Sequence, residues 1–211
     1  MRRGRRKVEN PSTARRILAA AEQHFAAQGL AGARTQGIAS SARANKAMLY
    51  YYFGNKRRLH RAVLENLFRQ LLGRNMASPN KEGSPRERLR SFITGYFDFL
   101  ASHPNYPRLV QREALEASRD FDRIVEQYLR PFHSQLVRTI REGVAADEIR
   151  AVDPDHTASM ILGMTTCCFA APILRKVAGH HRLGPHVVEA RKHALIAFLD
   201  HGLDPQQVRS R

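Results

Sequence analysis

The sequence predicts an all-α chain, with a three-helix helix-turn-helix domain at its amino-terminal end and a larger helical domain after it. Three observations carry that prediction. Apolar residues recur at steps of three and four in one segment after another, the period of helices with one buried face. No segment alternates apolar and polar residues for long, as a half-buried strand would. The stretch Thr35–Lys56, TQGIASSARANKAMLYYYFGNK, holds two short helical patterns joined by a tight turn.

In chain order, residues 1–10 form a basic arm with no cap and no apolar period, expected to be disordered when free. Its Arg2, Arg3, Arg5, Arg6 and Lys7 suit a DNA backbone or minor groove, or else simply keep a tail in solution. Residues 11–75 read as a DNA-binding domain with a connecting helix. Ser12 or Thr13 caps a helix lined by Ile17, Leu18, Ala21 and Phe25 that ends at Gly29. Thr35 is expected to cap Gln36–Ser41, because its hydroxyl can satisfy a first-turn backbone donor. A turn around Ala42–Ala44 leads to a second helix capped by Asn45, with Leu49, Tyr52 and Phe53 on its packed face. Ala47 and Tyr51 lie opposite, with Met48 and Tyr50 on the flanks, an outer face that suits a DNA major groove. Gly54 is expected to end that helix in a left-handed conformation. Lys56 opens the next helix, where a cation can meet a phosphate, and Leu59, Val63, Leu64, Leu67 and Leu71 give it an apolar stripe.

The Pro-, Gly- and Ser-rich segment 76–85 reads as a loop and domain boundary, leaving 76–211 as the second domain. Leu89, Phe92, Ile93, Tyr96, Phe97 and Leu100 mark a helix from Pro85 to His103 and Pro104, and a shorter helix follows over 107–117. From Phe121 to Ile140 the pattern continues across Pro131, where a kink or break is expected. Residues 155–177 are apolar nearly all round and are expected to be buried on most sides; residues 187–201 form the last helix.

Composition narrows the function. The 211 residues carry a net charge of +16, with 13 Lys and Arg against 2 Asp and Glu in residues 1–60, and 22 against 17 in the rest. The excess surrounds the helix-turn-helix, where each cation that meets a phosphate releases a counterion. No apolar run reaches the roughly 18 residues that cross a bilayer, and the basic start is not followed by the apolar stretch of a secretory signal. A cytoplasmic protein is expected, in keeping with only two cysteines, the adjacent Cys167 and Cys168. Their apolar setting argues for inert thiols rather than a sensor. His180, His181 and His186 lack the cysteine or carboxylate spacing of a metal site. Without a Gly-rich phosphate loop, nucleophile elbow or paired Cys-x-x-Cys, neither an enzyme nor a cofactor is expected.

The runs ILAAAEQHFAAQGL, T..GIA..A and ANKAMLYYYFGNKRRL together resemble the amino-terminal DNA-binding domain of the TetR/AcrR transcriptional regulators. The match covers about Ala14–Leu71. Arg43 stands where that family usually has a turn glycine, so a differently shaped turn is expected; Tyr52 and Ala47 stand where histidine and glycine are common. The resemblance implies a homodimer on a palindromic double-stranded operator. Lys46, Ala47, Met48 and Tyr50 are then expected at base edges, Thr35, Tyr51 and Lys56 at phosphates, and Arg43 at a phosphate or a guanine, with Gln36 and Asn45 completing the DNA-facing set. Ala47 lets the backbone approach and Met48 suits a thymine methyl. Two-fold pairing places the reading helices about 34–36 Å apart, on successive turns of one DNA face. It further implies that the last two long helices form the dimer interface, and that the second domain binds a small-molecule effector near Phe92, Tyr96, Phe97, Arg112, Tyr128, Phe132, Met164 and Cys168. Aromatic residues at such spacing also serve as plain core. The rival expectation is a basic architectural DNA-binding protein without an effector.

Overall fold

The computed structural model describes residues 11–76, 82–116, 118–170, 177, 179 and 184–208. Every regular element among them is helical. The basic arm, and with it Arg2 to Lys7, lies outside the described residues, as do residues 77–81 of the 76–85 loop, residues 171–176, His180 and His181. The helices are α1 (Pro11–Gly32), α2 (Thr35–Ser41), α3 (Lys46–Phe53), α4 (Lys56–Met76), α5 (Pro85–Ser102), α6 (Tyr106–Glu116), α7 (Arg119–Ile124), α8 (Arg130–Ala145), α9 (Pro154–Ala170) and α10 (Pro185–Gly202). A π-helical turn, Val125–Leu129, joins α7 to α8, and a 3₁₀ turn, Pro205–Val208, follows α10.

The chain forms two compact units, divided between Asn66 and Leu67. That point lies inside α4 rather than in the loop after it, where composition alone puts the boundary. The reason is visible in the side chains. In the first unit, Leu59, Val63 and Leu64 are buried and His60 meets the ring of Phe25 edge-on at 4.7 Å. In the second, Phe68 lies against Tyr106 at 5.4 Å and stacks on Tyr128 at 5.9 Å. One amphipathic helix supplies core to two units, so a loop signal misses the division.

The first unit packs α1, α2 and α3 around Ile17, Ala21, Phe25, Ile38, Ala39 and Leu49, all fully buried. α1 is interrupted at Gly29, whose φ of 69° matches the predicted stop. Its start differs from expectation. Ser12 and Thr13 lie inside the helix, and their hydroxyls accept hydrogen bonds from Arg16 at 3.3 and 3.1 Å.

In the second unit α5, α8 and α9 pack on one another, with α10 against α5 and α6 against α9. α5 begins with a capping box: Glu87 N–H donates to Ser84 Oγ, and Ser84 N–H donates to the Glu87 carboxylate. Such reciprocal caps satisfy two donors that a helix start leaves free. The break expected at Pro131 takes the form of the π turn just before it, closed by Arg130 N–H donating to Val125 C=O. Proline has no N–H for the next α-helical bond and its ring crowds the carbonyl four residues back, so widening the turn removes the clash. At the end of α8, Gly143 faces the buried Ile149, and an added Cβ would sit 2.4 Å from Ile149 Cδ1 and 2.8 Å from its Cγ1. Gly143→Ala is therefore expected to destabilise the protein by about 1–3 kcal/mol despite alanine's better helix propensity, a loss readable in a urea melt.

The expectation for α9 needs correction. Thr157, Ala158, Ile161 and Thr165 are buried, but on another face Met160 is 58% exposed and Gly163 and Cys167 are also open. α10 likewise buries Leu195 and Leu199 and exposes Ala190, Ala194, Ala197 and Phe198, the last at 64%. A helix apolar all round is buried only if enough neighbours surround it. Among the described residues, such neighbours lie on one side of each helix.

Candidate nucleic-acid interface

α2 and α3 form the predicted helix-turn-helix, and the turn between them keeps its left-handed residue without glycine. Arg43 has φ 48°. Ala44 N–H donates to Ala39 C=O at 2.9 Å and Arg43 N–H to Ser40 C=O at 3.0 Å, the paired bonds that close a helix through a left-handed residue. The differently shaped turn expected from the missing glycine is thus not formed; the backbone geometry is kept and Arg43 bears its cost, about 1–2 kcal/mol for an L residue. Arg16 of α1 braces the turn, its Nε donating to Ala42 C=O at 3.1 Å. That role carries no sequence signal, since Arg16 is one of several Arg in a basic run.

Each helix start departs from or matches its predicted cap for a local reason. Arg34, not Thr35, is the extended residue before α2, and it makes no side-chain cap bond. Thr35 is the first helical residue, and its Oγ1 lies 3.5 Å from the Tyr50 hydroxyl across the helix pair. Asn45 caps α3 as predicted, its Oδ1 accepting from Ala47 N–H at 2.9 Å. Gly54 does end α3 with a positive φ, 75°, but ψ is −57° and Asn55 N–H donates to Phe53 C=O at 2.9 Å. That is a γ-turn rather than a left-handed helical cap, a conformation for which glycine is suited.

The faces of α3 divide as its period requires. Leu49 is fully buried and Tyr52 and Phe53 are half-buried. Asn45, Lys46, Ala47, Tyr50 and Tyr51 are exposed, Tyr51 at 59% and Tyr50 at 41%, and Met48 is half-buried. Gln36 is also exposed and Thr35 half-buried. Two large aromatic side chains in solvent on a short helix are unusual for a surface with no partner. The Lys46 ammonium sits 5.9 Å from the Tyr50 ring centre, within cation–π range. Lys56 is more committed than a solvated phosphate ligand would be: its Nζ donates to Ala31 C=O and Ala33 C=O, each at 3.2 Å. Those bonds tie the start of α4 to the end of α1 and offset the penalty of a cation at a helix amino terminus. One N–H of the ammonium remains. Arg15, Arg34, Arg57 and Arg58 are further exposed cations of this unit, visible in the sequence only as part of its charge excess.

Of the residues proposed from the sequence to line a ligand site, Phe92, Tyr96 and Phe132 come together in the second unit as packed rings, while Tyr128 stacks on Phe68. Phe92 lies 4.6 Å from Phe132, Tyr96 5.3 Å from Phe132, and Phe97 4.8 Å from Phe169. The Tyr96 hydroxyl and Thr166 Oγ1 share a hydrogen bond of 2.7 Å, and burial pushes the Tyr96 phenol up to about 12 even though that bond works against the shift. Cys168 and Met164 are half-buried on α9, and Cys168 Sγ donates to Met164 C=O. Burial raises the Cys168 thiol, only partly offset by Arg191, which lies near in space though far in sequence. Arg112 on α6 is half-buried, next to Glu113, a buried carboxyl held above its usual range by burial and then by Glu116. An open cleft of about 530 Å³ lies elsewhere in this unit, lined by charged residues including Arg86, Glu87, Arg90, Glu148 and Asp200. Among the described residues no group of three or more His, Cys, Asp or Glu side chains is placed to hold a metal. No helix there is long and apolar enough to cross a membrane.

A basic helix-turn-helix whose second helix has an exposed outer face, in a chain that also holds a larger helical unit, defines a DNA-binding regulator. Two family models match the chain: bacterial regulatory proteins of the tetR family over residues 17–63, and the tetracyclin repressor-like C-terminal domain over residues 82–168. An HTH-type transcriptional repressor of Streptomyces coelicolor is 29% identical over 171 residues, covering 79% of this chain and 83% of the relative. Among solved structures, a transcriptional regulator of the same organism superposes with a TM-score of 0.70 at 26% identity, covering 90% of this chain and 98% of the other. FadR of Bacillus subtilis, solved in complex with stearoyl-CoA, superposes with a TM-score of 0.70 at 19% identity over 90% of this chain and 98% of its own. The chain belongs to the TetR family of DNA-binding transcriptional regulators.

Proposed function

We propose that the protein is a cytoplasmic repressor that acts as a homodimer on a palindromic operator and leaves it when a small molecule binds the helical body. The observation that carries this reading is the outer face of α3, where Lys46, Ala47, Tyr50 and Tyr51 are exposed around a buried Leu49. Lys46, Ala47, Met48 and Tyr50 read base edges. Thr35, Tyr51 and the remaining N–H of Lys56 hold phosphates, with Gln36 and Asn45 beside them. Ala47 presents no bulk to the groove, and the half-buried Met48 offers it a thioether that suits a thymine methyl. Such contacts specify sequence, whereas the cations around them supply affinity without it.

The open faces of α9 and α10 support the dimer. Among the described residues, Met160 and Cys167 on α9 and Ala190, Ala194, Ala197 and Phe198 on α10 are exposed. The effector enters among Phe92, Tyr96, Phe97, Tyr128, Phe132, Met164 and Cys168, with Arg112 at the margin and the Tyr96–Thr166 pair as the polar handle. Because those rings touch, occupancy requires them to part. α4 takes part in both units, so a ligand favouring a different placement of Phe68 lowers the DNA-competent population by its difference in affinity.

The experiment is a competition assay. A fluorescent operator duplex is displaced by unlabelled operator and by unlabelled random duplex at one physiological salt concentration. A specific regulator prefers operator by about 10³-fold or more. Near-equal displacement would favour the architectural reading.

A further inference from the structure

We propose that Arg43 is a phosphate anchor of the DNA complex, held by the turn against its own conformational preference. The inference rests on the DNA-binding reading above and adds a contact that a turn glycine cannot make. Two non-glycine residues among those described have a positive φ, Arg43 at 48° and Asp147 at 55°. Short Asp tolerates this region through local hydrogen bonding; a long arginine gains nothing from it. The turn itself needs only the backbone, since its closing bonds run through Arg43 N–H and Ala44 N–H.

The side chain therefore has to account for arginine at this position. Three cations of the same unit are already engaged. Arg16 donates to Ala42 C=O, Ser12 and Thr13, Lys56 to the carbonyls of Ala31 and Ala33, and Lys46 lies over the Tyr50 ring. Arg43 is exposed, and its guanidinium makes no hydrogen bond or ion pair among the described residues. It stands two residues before Asn45, the cap of the reading helix, outside the α3 face that carries the base-reading residues. A planar guanidinium leaving the turn there suits bidentate contact with a phosphate beside the groove.

Arg43→Gly, Arg43→Ala and Arg43→Lys are compared with the unaltered protein by thermal melting, and by binding to operator and random duplexes over a series of salt concentrations. Arg43→Gly is expected to melt roughly 2–8 °C higher, as strain is released. It is also expected to bind every duplex more weakly, with a salt slope shallower by about 0.9 per subunit. Arg43→Ala should lose the same binding without the gain in melting temperature, and Arg43→Lys should keep most of the slope. Unchanged affinity and slope in Arg43→Gly, with the unaltered protein binding operator normally, would overturn the proposal and leave the DNA-binding reading intact. A loss confined to duplexes with one particular base pair would overturn it in favour of base reading. If the unaltered protein itself showed no preference for operator, both readings would fall.

Discussion

Phe198→Glu is expected to turn the protein into a monomer and to weaken its grip on an inverted-repeat operator at least about hundredfold. In the single chain Phe198 is 64% exposed on α10, beside the small Ala190, Ala194 and Ala197, so the fold does not depend on it. In a dimer whose interface uses this face, the same position would bury a carboxylate against apolar side chains, a cost of several kcal/mol that an association equilibrium feels in full. The monomer keeps one reading helix and its phosphate contacts, which give affinity near the non-specific level, whereas specific complexes are typically 10³-fold or more tighter. Sedimentation velocity reads the first effect and fluorescence anisotropy the second. A circular dichroism spectrum like that of the unaltered protein shows that folding is intact. A variant that still sediments as a dimer would move the interface away from α10.

Leu49→Ala is expected to cost about 2–5 kcal/mol, the range for truncating a fully buried leucine without refilling its space. The effect on function is larger than on the whole chain, because Leu49 is the fully buried side chain of α3 and the first unit is small. Partial melting of that unit abolishes DNA binding at temperatures where the second unit stays folded. Calorimetry of the variant should show a low-temperature transition split from the main one, with operator binding lost across the first. A single unshifted transition would mean that the reading helix does not depend on Leu49.

The stretch from Thr35 to Lys56 was the most legible part of the chain, because periodicity, caps and charge agree there. The buried Leu49, the exposed Ala47 and Tyr51, and the Asn45 cap stand as read. What the sequence concealed were competitions between local options. A threonine at a helix start reads as a cap, yet Arg34 takes the extended position and Thr35 turns towards Tyr50. A missing turn glycine reads as a changed turn, yet the closing hydrogen bonds outweigh the strain at Arg43. A lysine at a helix entrance reads as a phosphate ligand, yet two carbonyls distant in sequence claim most of its donors. In the body, apolar spacing located α5, α8 and α9 but not the way their rings interlock. Phe92 against Phe132 and Tyr96 against Thr166 are long-range pairings that no periodicity encodes. The same limit governs α9, where apolar residues run all round but only Thr157, Ala158, Ile161 and Thr165 are buried among the described residues.

In the proposed function a dimer reads DNA sequence through α3. The most direct test is to select bound fragments from a random duplex pool with the purified protein at near-physiological salt, and to sequence them. The expected result is an enriched inverted repeat whose half-sites lie about one helical turn, 34–36 Å, apart. Retention of DNA with no enriched sequence would contradict it, and would mean that the charge of +16 dominates binding.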